Sequence, residues 1–270
     1  MRIRPRESHL MRRAMHWGLL LWGMSEGGRK DERDQNIDSW LDLARLLESS
    51  SEGGWVFRGE AETGNPLLPK AGRVGSYRGA GRKKPYEVAD EKLALESFKR
   101  QARPYLNHSP DTDLEWLGVA QHHGMATRLL DWTESLLVAA YFAVAEAGTK
   151  GNATIYGVRN VRAITRTEEK KPFDLKEVSI YLPPHISPRI PAQRSVFTVH
   201  PHPTDVFELP TLFEWHISHA ACANIKKVLD ACAINEASLF PDIDGLSRYI
   251  GWRYKWGKSW PDNRDRPRFA

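Results

Sequence analysis

The sequence predicts an α+β fold: a single domain in which amphipathic helices pack on a small mixed β-sheet. Two observations carry this. Helical periodicities dominate the first half of the chain, and short β-branched runs separated by Pro- and charge-rich turns gather after residue 153. No composition break splits residues 35–257.

Ile37, Trp40, Leu41, Ala44 and Leu47 have helical spacing, and Ser49 to Gly54 turns the chain. Trp55-Val56-Phe57-Arg58 reads as a short strand stopped by Gly59, and Glu60–Pro85 as a long loop. A helix over Glu87–Arg103 buries Leu95, Phe98 and Ala102 and ends at Pro104. Asp111-Thr112-Asp113 starts a helix that runs to Gly124. Met125–Trp132 reads as a connection. Thr133 is then expected to cap a helix with Leu137, Ala140, Tyr141 and Val144 on its buried face. Strands follow at Ala153–Val158, Val178–Leu182 and Val196–His200, then helices over Ala220–Cys232 and from Phe240-Pro241-Asp242 onward.

The 270 residues are enough to bury a sizeable core, and 41% hydrophobic with 27% charged residues is ordinary globular composition. Cys222 and Cys232 are too far apart along one helix for a disulfide and lack zinc-ligand spacing. They read as packed thiols of a cytoplasmic protein. The apolar run Trp17–Met24 is too short to span a membrane and is followed by no convincing cleavage site. Residues 1–34 are expected to be a disordered or mis-started extension and 258–270 a basic tail. The net charge of +5 places +3 in residues 1–34, leaving 31 cations and 29 anions in the rest. Two basic stretches remain, from Lys70 to Lys84 and from Arg248 to Arg268. Solvated loop charge explains them, and a nucleic-acid contact is the alternative, to be recognised by strong salt dependence.

Gln121 to Thr133 concentrates polar side chains between two apolar helices: Gln121, His122, His123, Arg128 and Asp131. Arg128 and Asp131, flanked by Leu129, Leu130 and Trp132, are expected to be partly buried and to pair with each other or with ligand groups, because an unpaired buried charge is costly. A structural tie between helices is the other reading. Arg58, at a strand end before glycine, either offers its guanidinium to a phosphate or carboxylate or bridges strand and helix. His122 and His123 point about 100° apart on a helix and cannot both chelate one metal from regular positions. Either is suited to acid–base work beside Asp131, or to a satisfied place at a helix end. Asp242-Ile243-Asp244-Gly245 lacks the further acids of a calcium loop and is better read as a helix cap. No phosphate loop and no metal-ligand constellation is present in the sequence.

Gln121-His122-His123-Gly124, Thr127 to Thr133 and Ala140-Tyr141-Phe142-Ala143 together resemble the central signature of the FRG domain family. Trp55 to Glu60 is similar to the family's opening motif. Arg189, Gln193, Phe197 and Thr198 resemble its third segment, and Leu239 to Leu246 its closing one. Ser195 stands where the family usually has glycine. The resemblance implies an intracellular prokaryotic domain and does not imply a reaction. Phe57-Arg58-Gly59 is also similar to the first motif of arginine-type ADP-ribosyltransferases. Those enzymes further require a Ser-Thr-Ser-like strand and a later Glu, for which Ser195, Thr198, Glu208 and Glu214 stand at loose spacing.

Two functions follow as expectations. One is an effector-type enzyme, in a toxin-like or phage-defence setting, acting on a nucleotide, dinucleotide or nucleic acid. In it Arg58, Gln121, Arg128 and Gln193 hold the ligand, and His123, His122 and Asp131 are catalytic. The other is a non-catalytic binding or sensing module using the same residues. Arg58, Gln121, His123, Arg128, Asp131 and Gln193 are expected around one pocket.

Overall fold

The computed structural model describes residues 34–76, 85–106, 109–146, 151–185 and 187–255. Strand β4 (Ala153–Arg159) explains the architecture best: its first six residues are all buried. A strand buried on both faces belongs at the centre of a covered sheet. It pairs antiparallel with β2 (Trp55–Glu60) on one side and β7 (Leu212–Ile217) on the other. With β1 (Asp34–Ile37), β3 (Leu129–Thr133), β5 (Ser179–Tyr181) and β6 (Ser195–Val199), they form a seven-stranded sheet of order β1-β7-β4-β2-β3-β6-β5. The β1–β7 pair is parallel and the others antiparallel, so the sheet is mixed as expected.

Three of these strands escape sequence patterning. β3 occupies Leu129–Thr133, where a connection is expected, because it pairs along its length with β6. Thr133 accordingly ends a strand. The helix after it, α4 (Leu136–Val144), is capped by Ser135, whose hydroxyl accepts from the Val138 amide. β1 and β7 lack a clear alternation and are defined by their mutual pairing.

The other helices are α1 (Trp40–Ser49), α2 (Val88–Ala102), α3 (Asp113–His122), the short α5 (Arg166–Glu169) and α6 (Arg189–Gln193), α7 (His219–Ala231), the short α8 (Glu236–Leu239) and α9 (Ile243–Lys255). One sheet face carries Phe57, Ile155 and Trp215 and is covered by α1, α4 and α7. The opposite face, with Val56, Tyr156 and Val158, is covered by apolar side chains of loops, including Leu67, Phe207 and Leu209. α4 is buried on nearly all sides rather than along the stripe expected, and Leu137 is only half-buried. Cys222 is buried as expected, whereas Cys232 caps the end of α7 and is exposed.

Two sequence signals acquire structural meaning. Gly124, at φ +93°, closes α3: its amide donates to the Gln121 carbonyl at 2.9 Å and the Met125 amide to Ala120 at 2.9 Å. That is the double hydrogen bond of a left-handed helix stop. Asp242 accepts from the Gly245 amide at 2.7 Å and so caps α9, as the helix-cap reading requires. The expected basic tail lies outside the described residues, as does the N-terminal extension up to its last residue, Asp34, which is already in β1.

Candidate functional site

The site begins where the sheet parts. β2 and β3 pair only at Phe57 and Thr133, and past that point their backbones separate. Arg58 fills the gap. Its Nη1 donates to the Asp131 carbonyl at 2.8 Å, in the place of a strand amide, and its Nε to Glu60 Oε1 at 3.0 Å. Glu60 is itself nearly buried, which fixes the direction of the guanidinium. Nη2 has no hydrogen-bond partner among the described residues.

Around this guanidinium lies a cleft of about 320 Å³, lined by Phe57, Arg58, Gly59, Asp131, Trp132, Thr133, Phe142, Gln193, Ser195 and Phe240. Each wall has a local cause. Gly59 lets α4 approach: a Cβ there would lie 1.9 Å from the Ala139 carbonyl oxygen and 2.6 Å from the Ala143 nitrogen. That approach delivers Phe142, whose ring meets Phe240 edge-on at 6.1 Å. The Thr133 hydroxyl donates to the Gln193 carbonyl at 2.7 Å and ties α6 to the end of β3. The Gln193 side-chain amide donates to the Leu239 carbonyl at 3.0 Å, which leaves its oxygen for other partners. The Asp131 carboxylate stands at the rim, 63% exposed and 3.9 Å from Arg58 Nη1.

Of the residues expected at one site, the cleft brings together Arg58, Asp131 and Gln193. Gln121, His122, His123 and Arg128 are not in its lining. The expected pairing of Arg128 with Asp131 is corrected as well. Three positions apart in extended chain, the two side chains point to opposite sides: Asp131 is exposed, whereas Arg128, just before β3, is wholly buried and pairs with Glu91 of α2. Arg128 Nη2 donates to Glu91 Oε2 at 2.9 Å and the Arg128 amide to Glu91 Oε1 at 2.9 Å. Tyr86 joins the pair, its hydroxyl donating to Glu91 and accepting from Arg128. The Phe173 ring covers the guanidinium at 4.2 Å. Burial and the Glu91 carboxylate push the Tyr86 phenol up. Glu91, Tyr86, the carbonyls of Pro172 and His200, and the Phe173 ring together saturate Arg128, so it serves the interior.

Gln121 also turns inward, donating to the Leu129 carbonyl at 3.2 Å and accepting from the Thr127 hydroxyl, which closes the loop between α3 and β3. His122 is half-buried, with Nε2 3.3 Å from Ser187 Oγ, and His123 is exposed beside it. Burial first, then the neighbouring His123 and Arg189, lowers the His122 pKa. Among the described residues no hydrogen bond joins either histidine to Asp131. Lys70 and Arg73, the described part of the first basic stretch, donate to the carbonyls of Gly124 and Leu68. Among the described residues no group of three or more His, Cys, Asp or Glu is placed to hold a metal, and no helix is long and apolar enough to cross a membrane.

Sequence reasoning missed Glu91, Tyr86, Phe142 and Phe240. Glu91 had a usable signal: it precedes Leu95, Phe98 and Ala102 by helical steps and so falls on the stripe read as buried. A lone acid on such a stripe demands a buried cation. For Phe142 and Phe240 no local signal distinguishes a cleft wall from core.

Residues 53–152 match the family model of the FRG domain. Seven of the ten cleft residues fall inside that match, and Gln193, Ser195 and Phe240 lie beyond it. No curated protein and no solved structure matches the chain. The matched segment, with Phe57 in the core, Arg58 in the sheet opening and Gly59 under α4, is the FRG domain of this chain, over residues 53–152.

Proposed function

We propose that the cleft at the β2–β3 opening binds a nucleotide or dinucleotide. One observation carries the reading: segments far apart in sequence, around Arg58, Asp131, Phe142, Gln193 and Phe240, all end on the same cleft. Its chemistry suits a planar base joined to an anion. The Arg58 Nη2 edge, without a hydrogen-bond partner among the described residues, matches a phosphate. Phe142 and Phe240 offer apolar aromatic surface for a base, and Gln193 and Ser195 offer polar atoms that select among ring substituents. The volume of about 320 Å³ is within the range of small-ligand sites.

The test is calorimetric titration of the full chain with mononucleotides, dinucleotides and the matching nucleosides. Phosphate-bearing ligands are expected to bind and nucleosides to bind at least tenfold more weakly, about 1.4 kcal/mol. Arg58→Lys should weaken binding by a similar factor, since an ammonium cannot reproduce the planar fork. Equal affinity for nucleoside and nucleotide would overturn the reading.

A catalytic version is favoured by one feature, the Asp131 carboxylate at the cleft rim. It is the acid–base group that the lining offers, in place of the histidines. Mass spectrometry of the recovered ligand separates the two versions. An enzyme returns product, and Asp131→Asn abolishes turnover while binding persists; a sensing module returns the ligand intact.

A further inference from the structure

The outer face of α9 is apolar and uncovered. Ile243, Leu246, Ile250 and Tyr254 are 73%, 43%, 39% and 84% exposed. At about 100° per residue they fall within one narrow stripe. The inner face is already used: Gly245 is buried against Phe240, and Tyr249 and Trp252 stack on each other and are half-buried. An amphipathic helix with a second apolar stripe has a second partner to satisfy.

The stripe is its own complement. Turned end for end about a two-fold axis near residues 248 and 249, Leu246 of one copy meets Ile250 of the other, and Ile243 meets Tyr254. A two-fold of this kind brings like flanks together. On one flank of the stripe Asp244 and Lys255 lie near opposite ends of the helix, and both are exposed. The antiparallel arrangement therefore sets Asp244 of each copy against Lys255 of the other. Ser247 and Gly251, both exposed, keep the ground between the stripe and these charges low, and Arg248, on the same flank, is drawn back onto Glu236 at 2.6 Å and over the Phe240 ring.

We propose that α9 docks antiparallel on α9 of a second copy of this chain, forming a two-fold dimer. The contact is one helix wide, at the small end of specific interfaces, so the dimer is a weak one whose population follows concentration. Gly245 seats α9 against Phe240, which lines the cleft, so the dimer contact and the ligand site share one element.

Sedimentation equilibrium of the full chain over a range of concentrations tests this. The weight-average mass should rise from monomer toward dimer as concentration rises. Ile250→Glu should hold the protein monomeric at every concentration, with an unchanged circular dichroism melt because the residue is on the surface. If that variant loses its fold, the pair Ile250→Ser and Tyr254→Ser reads the same surface. Asp244→Lys and Lys255→Glu should each weaken the dimer at least tenfold, and the double exchange should restore it. A wild type that stays monomeric up to about 0.5 mM, beyond the range of weak specific complexes, overturns the proposal. So does a dimer that these substitutions leave intact, or a double exchange that restores nothing.

Discussion

The sequence offers Asp131 as the partner of Arg128, the structure supplies Glu91, and burial separates the two acids. Glu91 is almost fully enclosed with Arg128, while Asp131 is largely in solvent. Removing one member of a buried pair strands the other's charge, at about 3–5 kcal/mol. Glu91→Ala should therefore lose at least 3 kcal/mol in chemical denaturation, roughly the lower end of that range. Asp131→Asn should stay within about 0.5 kcal/mol, as surface substitutions do. Similar losses for both would return Asp131 to the interior network. His200 makes a prediction in pH. Its imidazole lies 2.9 Å from the Thr198 hydroxyl, which also accepts from Trp132 Nε1. Burial, and then the Arg128 charge, push its pKa from 6.5 down to about 4. The unfolded chain thus takes up this proton at a higher pH than the folded one. Stability is fully present above pH 6.5, falls as pH drops toward 4, and the contribution is gone below that. His200→Gln should flatten the melting temperature across that window. An unchanged slope would mean that other groups govern acid unfolding.

At the scale of elements, the packing of α4 on β2 decides whether the cleft exists. The Gly59 site has no room for a methyl group, and the obstacles are backbone atoms of α4 rather than movable side chains. Gly59→Ala must push the helix outward and take Phe142 with it. Overpacking against a rigid element costs about 1–3 kcal/mol, and more when backbone must shift. The variant should melt lower and should also lose ligand affinity. Full stability with full binding would show that α4 can slide. Strand β6 accounts for Ser195, which stands where the resemblance leads one to expect glycine. It starts β6 opposite Thr133 and lines the cleft, so the departure adds a hydroxyl to the lining.

For the whole molecule, the least obvious part is the parallel edge. β1 precedes the family match by sixteen residues and pairs with β7, which follows the match. The sheet therefore closes only when both flanks of the matched segment are present. A chain starting at Ser39 loses β1, the buried Ile37 side chain and the ladder on β7. Burying an Ile is worth about 1.5–3 kcal/mol. Against a chain starting at Arg33, it should melt lower by roughly 5 °C or more, since 1 kcal/mol moves a domain of this size by about 2–4 °C. Equal midpoints would show that β1 is ornamental to stability.

The sequence by itself determined the six longer helices, four of the strands, the stops at Gly124 and before α9, and the prominence of Phe57-Arg58-Gly59. These are local effects: periodicity, capping and glycine's backbone freedom act within a few residues. Tertiary structure alone decided that Arg128 belongs to Glu91, that β3 is a strand, and that Phe142 and Phe240 are walls of the site. Each depends on a partner tens of residues away, and a charge or an aromatic ring carries no mark of which distant neighbour will neutralise or cover it. Arg58 and Arg128 look alike as residues. One became a cleft wall and the other an interior tie because the sheet opens beside the first, while Glu91 of α2 and the Phe173 ring enclose the second.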